Sequence, residues 1–297
     1  MKMAVIIKEF LYEKQLANHT KKTLSGYKYC LELFAKWLDT YQDIQELEDI
    51  TPRDLKAYIH YHQKQGHKAT YINGIIKVLR SFFKYCNGEE YCNVNYKKLE
   101  WARQDKPVIN CFTPEQAKKM VAFYNGKDFT SIRNKTMIIL FIETGVRCNE
   151  LICIRPEDIK GNFIVIRGKN HKERMVAITP ILGKQLIKYA SARESYFDIR
   201  KKHDNTLFLS FSGRTLTNAA IEQIVKKAGA DFKNTRVSPH TFRHFFAQQQ
   251  LKNGMDIYSL SRLLGHESVA ITQVYLRNMR DMEIVEKSIR QSVLENL

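Results

Sequence analysis

The stretch from Ser238 to Met279, SPHTFRHFFAQQQLKNGMDIYSLSRLLGHESVAITQVYLRNM, constrains this chain most. Pro239 suits the first position of a helix, where its preset φ helps and its missing N–H is not needed. Gly254 ends that helix. A second helix near Ile257 to Leu264 ends at Gly265, which puts His266 at its C-terminal turn. A third, from about Ser268, carries Tyr275. His240 and Arg243, three residues apart, share one helix face. Two histidines, an arginine and a tyrosine make a poor core but a good phosphate site. Arginine offers a planar fork of donors to phosphate oxygens. Histidine donates a hydrogen bond or moves a proton near neutral pH, and a tyrosine hydroxyl can attack phosphorus and hold a covalent intermediate. Alone, an H-x-x-R pair or a helical tyrosine is ordinary packing, so the functional reading depends on the rest of the set.

The rest of the set lies upstream. Met137 to Leu151 reads MIILFIETGVRCNEL: an apolar helix, a glycine turn, then Arg147 opening a new helix. Phe163 to Ile178 reads FIVIRGKNHKERMVAI: a strand, a Gly-Lys turn that puts Lys169 at a hairpin tip, and a second strand. In these features the chain resembles the tyrosine recombinase (phage integrase) family. The matching positions are Thr144-Gly145-Val146-Arg147 with Glu150-Leu151, Gly168-Lys169, His240 with Arg243, Leu264-Gly265-His266, and Tyr275 nine residues after that last histidine. Val146 stands where the family usually has leucine, a conservative apolar change. Six positions agree in order across about 130 residues, and the resemblance covers nearly the whole chain.

The net charge of +17 implies a polyanionic partner. The charge is uneven: residues 1–100 carry 16 Lys and Arg against 12 Asp and Glu, whereas residues 101–297 carry 32 against 19. No long basic amphipathic helix with a clean apolar face supports a membrane-surface alternative. No signal peptide is recognisable, and no apolar run approaches the roughly 20 residues of a transmembrane helix. The six cysteines, Cys30, Cys86, Cys92, Cys111, Cys148 and Cys153, lack zinc-type C-x-x-C pairs and read as reduced thiols of a cytosolic protein. Cys148 stands beside Arg147, where oxidation would disturb the site.

The expected fold is mainly α with a small β-sheet. Residues 1–88 read as a four-helix bundle, with segments Val5 to Leu16, Thr20 to Leu38, a third from Thr51-Pro52, and Ala69 to Tyr85. The resemblance makes this a SAM-like core-binding domain that clamps DNA, with Lys21, Lys22, Lys28, Lys68, Lys77, Arg80 and Lys84 as candidate phosphate contacts. Its early start is expected to leave no room for an additional arm-binding domain. Residues 89–112 show no helical period and read as an interdomain linker. Residues 113–297 are the expected α+β catalytic domain, opened by a Thr113-Pro114-Glu115-Gln116 capping box. Further helices are expected over Lys135 to Glu143, Ile181 to Tyr196 and Leu216 to Ala228, with an extended segment over Leu207 to Ser212. Met282, Val285, Ile289 and Val293 form an apolar stripe on a final helix, which the resemblance makes an exchange helix docking into a neighbouring protomer.

The resemblance implies phosphoryl transfer with no cofactor, and no Asp/Glu cluster suits a magnesium ion. Tyr275 would attack a DNA phosphate to give a 3′-phosphotyrosine and a free 5′-hydroxyl. Arg147 and Arg243 would grip the non-bridging oxygens, Lys169 would protonate the leaving oxygen, His240 would manage the tyrosine proton, and His266 would hydrogen-bond the phosphate. Glu150 is expected to support the Arg147 turn, and Lys172, Arg174 and His244 to bind backbone or stabilise structure. The implied partners are double-stranded DNA with paired core sites, further copies in a tetramer, and a partner recombinase or accessory protein. The expected location is the cytoplasm, on the nucleoid. Two rivals are a type IB topoisomerase and an inactive DNA-binding protein of the same fold. Within recombination, Xer-like dimer resolution and mobile-element integration or excision stay open.

Overall fold

The computed structural model describes residues 2–104, 111–168, 172–197, 203–233 and 235–276. The chain forms two compact units, Met1–Pro107 and Val108–Leu297. The first unit is a bundle of α1 (Met3–Leu16), α2 (Lys21–Gln42), α3 (Pro52–Lys64) and α4 (Ala69–Gly88). Thr20 caps α2 by accepting from the Thr23 N–H, and Thr51 and Asp54 cap α3 reciprocally around Pro52. Apolar residues at helical spacing then meet inside: Phe10 of α1, Phe34 of α2, Leu55 of α3, and Leu79 and Phe82 of α4 are fully buried. Phe10 and Phe82 pack edge to face at 5.4 Å. Helix α2 runs one turn beyond its expected end at Leu38, to a left-handed C-cap at Asp43.

The segment expected as linker is largely part of this bundle. Val94 and Leu99 are buried in its core. Asn87 on α4 donates to the Val94 carbonyl and accepts its N–H, and Asn73 does the same for Ala102. Arg80, expected as a candidate phosphate contact, instead donates to the Lys97 carbonyl and lies over the Trp101 ring. The segment has no helical period because side-chain amides of α4, not a helical ladder, satisfy its backbone.

The second unit has α5 (Pro114–Phe123), α6 (Phe129–Thr144) and α7 (Cys148–Cys153), then strands β1 (Ile159–Lys160), β2 (Phe163–Arg167) and β3 (Glu173–Ala177). Five helices follow: α8 (Pro180–Phe197), α9 (Asn218–Ala228), α10 (Pro239–Lys252), α11 (Ile257–Leu264) and α12 (Val269–Leu276). The sheet is antiparallel in the order β1-β2-β3, with Ile166 opposite Arg174 and Arg167 opposite Glu173. Helix α6 is buried on nearly every side, its run Met137 to Phe141 packing against α5, α8 and α10. Leu207, Phe208 and Leu209 are buried in an extended segment that makes one isolated bridge, Leu209 to Thr215. Lys169 and the stripe of Met282, Val285, Ile289 and Val293 lie outside the described residues.

Candidate active site

The site begins at the turn after α6. The helix ends at Gly145, whose φ of +59° is the left-handed conformation that glycine adopts without strain. A Cβ there would lie 2.5 Å from Cδ1 of Phe246, so α10 also needs a glycine at this point. Arg147 then takes the N-cap of α7, and its N–H donates to Glu150 Oε2 at 2.7 Å. Its Nη1 donates to Glu150 Oε1 at 2.7 Å, while its side chain stays 39% exposed.

Glu150 is 6% exposed and also receives a fork from Arg174 on β3, at 2.8 Å to Oε1 and 2.7 Å to Oε2. Burial alone pushes its pKa up. The Arg174 guanidinium, followed by Arg147, more than offsets this and holds the carboxyl at about 2. Glu150 thus supports the Arg147 turn as expected, and in addition carries two cations. Arg174 extends the network by donating Nε to the Leu263 carbonyl, at the end of α11, at 2.8 Å.

Arg243 joins three segments. Ser238 and Pro239 open α10, with the Ser238 hydroxyl accepting from the Thr241 N–H. One turn later Arg243 is 4% exposed. Its Nη1 donates to the Gly145 carbonyl at 2.9 Å and its Nη2 to the Leu264 carbonyl at 2.6 Å. Burial, reinforced by Arg147, lowers its pKa to about 10, so it stays charged at neutral pH. His240 sits exposed in the first turn of the same helix.

Gly265 caps α11 at φ +66°, and His266 follows. The His266 Nδ1 is 2.7 Å from Thr272 Oγ1, and Thr272 is fully buried. Burial, then Arg243, Arg147 and Arg174, lower the His266 pKa to about 4, so the ring is neutral at pH 7. In the tautomer where Thr272 donates, Nε2 carries the proton and is a donor for an anion.

Tyr275 lies on α12, 4% exposed, packed with Phe246, Ala247, Leu251, Leu260 and Leu264. Its ring stacks on His266 at 6.3 Å and meets the His244 ring edge-on at 5.3 Å. Burial raises its pKa, and Arg243 and Arg147 oppose that rise. The structure therefore gathers Arg147, Arg243, His266 and Tyr275 around one cationic spot, with His240 one turn away on α10.

Thr272, which orients His266, escaped the sequence reading; its three-residue spacing from Tyr275 on one helix was the available signal. His244 is half-buried, and its Nδ1 has no hydrogen-bond partner among the described residues. Lys172 makes an exposed pair with Glu267 at 3.4 Å. Cys148 is a free, half-buried thiol whose pKa burial pushes up to about 11, which makes it a poor nucleophile or redox centre. Among the described residues, no group of three or more His, Cys, Asp or Glu is placed to hold a metal ion. No described helix is long and apolar enough to cross a membrane.

An arginine pair around a helical tyrosine, on this mixed helical unit with a hairpin at its side, defines a phosphoryl-transfer site of the integrase type. Residues 110–281 match the model of the phage integrase family, and residues 7–90 match its N-terminal SAM-like domain. The chain belongs to the phage integrase family of tyrosine recombinases, enzymes that cleave and rejoin DNA. It is 30% identical to tyrosine recombinase XerC of Thermodesulfovibrio yellowstonii over 279 residues, covering 89% of this chain and 90% of the relative. Tyrosine recombinase XerA of Pyrococcus furiosus is 28% identical, covering 98% and 96%. The fold is similar to that of the XerH site-specific recombinase bound to palindromic difH substrate, with a TM-score of 0.75 and 20% identity over 94% of this chain and 83% of the other.

Proposed function

We propose that this protein is a site-specific recombinase in which Tyr275 attacks a DNA phosphate at paired core sites. The carrying observation is that Arg243 binds the carbonyls of both Gly145 and Leu264. One guanidinium thereby ties the Arg147 turn and the end of α11, just before His266, to α10. In the cleavage step the bond between Tyr275 Oη and phosphorus forms and the bond from phosphorus to the 5′-oxygen breaks. The tyrosine proton leaves towards His240, and Lys169 delivers a proton to the departing 5′-oxygen. Arg147 and Arg243 stabilise the charge on the non-bridging oxygens, with the neutral His266 donating alongside them. The 3′-phosphotyrosine conserves the bond energy, so the 5′-hydroxyl of a partner strand rejoins it without ATP. Two such exchanges recombine two duplexes through a Holliday junction.

Tyr275 is too deeply packed to meet a phosphate where it stands, so cleavage requires a displacement of α12. The residues after α12 supply the means: the apolar stripe from Met282 to Val293 docks on a neighbouring protomer in a tetramer. Cleavage is thereby coupled to assembly on DNA, in the cytoplasm and on the nucleoid, and a partner recombinase or accessory protein can join the same assembly. Residues 1–88, with the segment that Asn73 and Asn87 fasten to them, form the core-binding domain, which grips the duplex.

The test is a nicked suicide duplex selected from a random-sequence pool by wild-type protein and resolved on a denaturing gel. Wild type forms a covalent protein–DNA band, and Tyr275→Phe binds the same duplex without forming one. A band that persists in Tyr275→Phe refutes the assignment of the nucleophile. Relaxation of supercoiled DNA without strand exchange places the protein with topoisomerases. The captured sequence separates chromosome or plasmid dimer resolution from element integration or excision.

A further inference from the structure

Arg174 ties β3 to both the Arg147 turn and the end of α11. It stands on β3 opposite Ile166, three residues before Lys169 on the other strand of the same hairpin. Its Nη1 and Nη2 clasp Glu150 beneath Arg147, and its Nε holds the Leu263 carbonyl just before the His266 turn. The side chain is 11% exposed. Its stem crosses Gly265 so closely that a Cβ there would lie 3.0 Å from Arg174 Cδ. Three of its five N–H donors are committed inside the protein.

The charge count gives this clamp a second consequence. Glu150 Oε1 accepts from both Arg147 Nη1, at 2.7 Å, and Arg174 Nη1, at 2.8 Å. With Arg174 present, the carboxylate is shared and the trio keeps a net positive charge. Without it, Glu150 pairs one-to-one with Arg147 and cancels the charge that a phosphate would meet.

We propose that Arg174 is a positioning residue for strand cleavage: it fixes β3 against the Arg147 and His266 turns, and it occupies Glu150 so that the Arg147 charge remains available to the scissile phosphate. This rests on the strand-cleavage reading above. Arg174 acts through Glu150 and Arg147, so its main effect falls on the rate at saturating DNA.

The experiment uses the full chain and the nicked duplex that wild type captures covalently, with single-turnover cleavage measured at saturating protein for Arg174→Gln and Arg174→Lys. Arg174→Gln slows cleavage on the order of 100-fold, the scale of loss that accompanies misplacement by about 1 Å. Its affinity for the duplex stays close to wild type, with the salt slope lowered by no more than the single contact of Arg147. Arg174→Lys, which restores the charge but not the fork, recovers part of the rate. A rate within about twofold of wild type for Arg174→Gln overturns the assignment. A salt slope reduced by about two or more phosphate contacts also overturns it, because one is accounted for by Arg147 and the rest mark direct DNA binding by Arg174. So does an equal loss of rate in both variants that tracks an equal fall in melting temperature, because that marks a merely structural residue. Wild type that captures no duplex at all overturns the strand-cleavage reading itself, whereas each of the other results leaves that reading intact.

Discussion

Glu150→Gln tests the electrostatic centre of the site. The substitution keeps the shape and one carbonyl acceptor but removes the charge that Arg174 and Arg147 share. The Glu150 pKa falls from an ordinary 4.5 to about 2. At roughly 1.36 kcal/mol per pH unit, that corresponds to a preference for the charged form on the order of 3 kcal/mol in the folded protein. Removing one partner of a buried ion pair costs about 3–5 kcal/mol by independent reasoning, so the two routes agree. For a unit of this size the loss lowers the melting temperature by about 7–14 °C. Calorimetry on the full chain measures it as a shift in the transition of the second unit. The sign with pH follows from the depressed pKa. The stabilisation is fully present above about pH 4.5 and is lost as pH falls through about 2. The gap between wild type and Glu150→Gln therefore holds from pH 8 to 5 and shrinks to less than about half of that by pH 3. A gap below about 1 kcal/mol at pH 7, or one unchanged at pH 3, refutes the reasoning.

Two more outcomes follow from the same turns. Gly145→Ala places a Cβ 2.5 Å from Phe246 at a φ of +59°, so left-handed strain and overpacking together destabilise the second unit by about 2–5 kcal/mol. Thermal unfolding checks this, and a shift below about 2 °C argues against the close approach of α10. His266, with its pKa lowered to about 4, stays neutral when an exposed histidine titrates near 6.5. Side-chain NMR between pH 7.5 and 5 shows its ring resonances static, and a midpoint near 6.5 contradicts the burial and the three arginines.

Much of the fold was legible in local sequence. Thr20, Thr51, Thr113 and Ser238 each cap the helix expected after them, because a cap is a contact within three residues of itself. The apolar run before Gly145 announced a buried helix, and Gly168-Lys169 announced the hairpin whose strands pair as β2 and β3. The linker was misread where period was the only guide. Residues 94–102 are neither helix nor strand, and what fastens them is a pair of asparagines on α4.

The sequence by itself determined where most of the helices lie, the basic charge and the ordered set of Arg147, Lys169, His240, Arg243, His266 and Tyr275. Those follow from residue type and short spacing. Only the tertiary structure decided which groups touch. Arg174 reaches Glu150 across 24 residues and Leu263 across 89, and Arg243 reaches Gly145 across 98. These bonds end mostly on backbone carbonyls, which every residue carries, so no residue type along the chain marks their acceptors. The burial of Tyr275 is decided in the same way, because it depends on how α10, α11 and α12 close over one another and not on any neighbour in sequence.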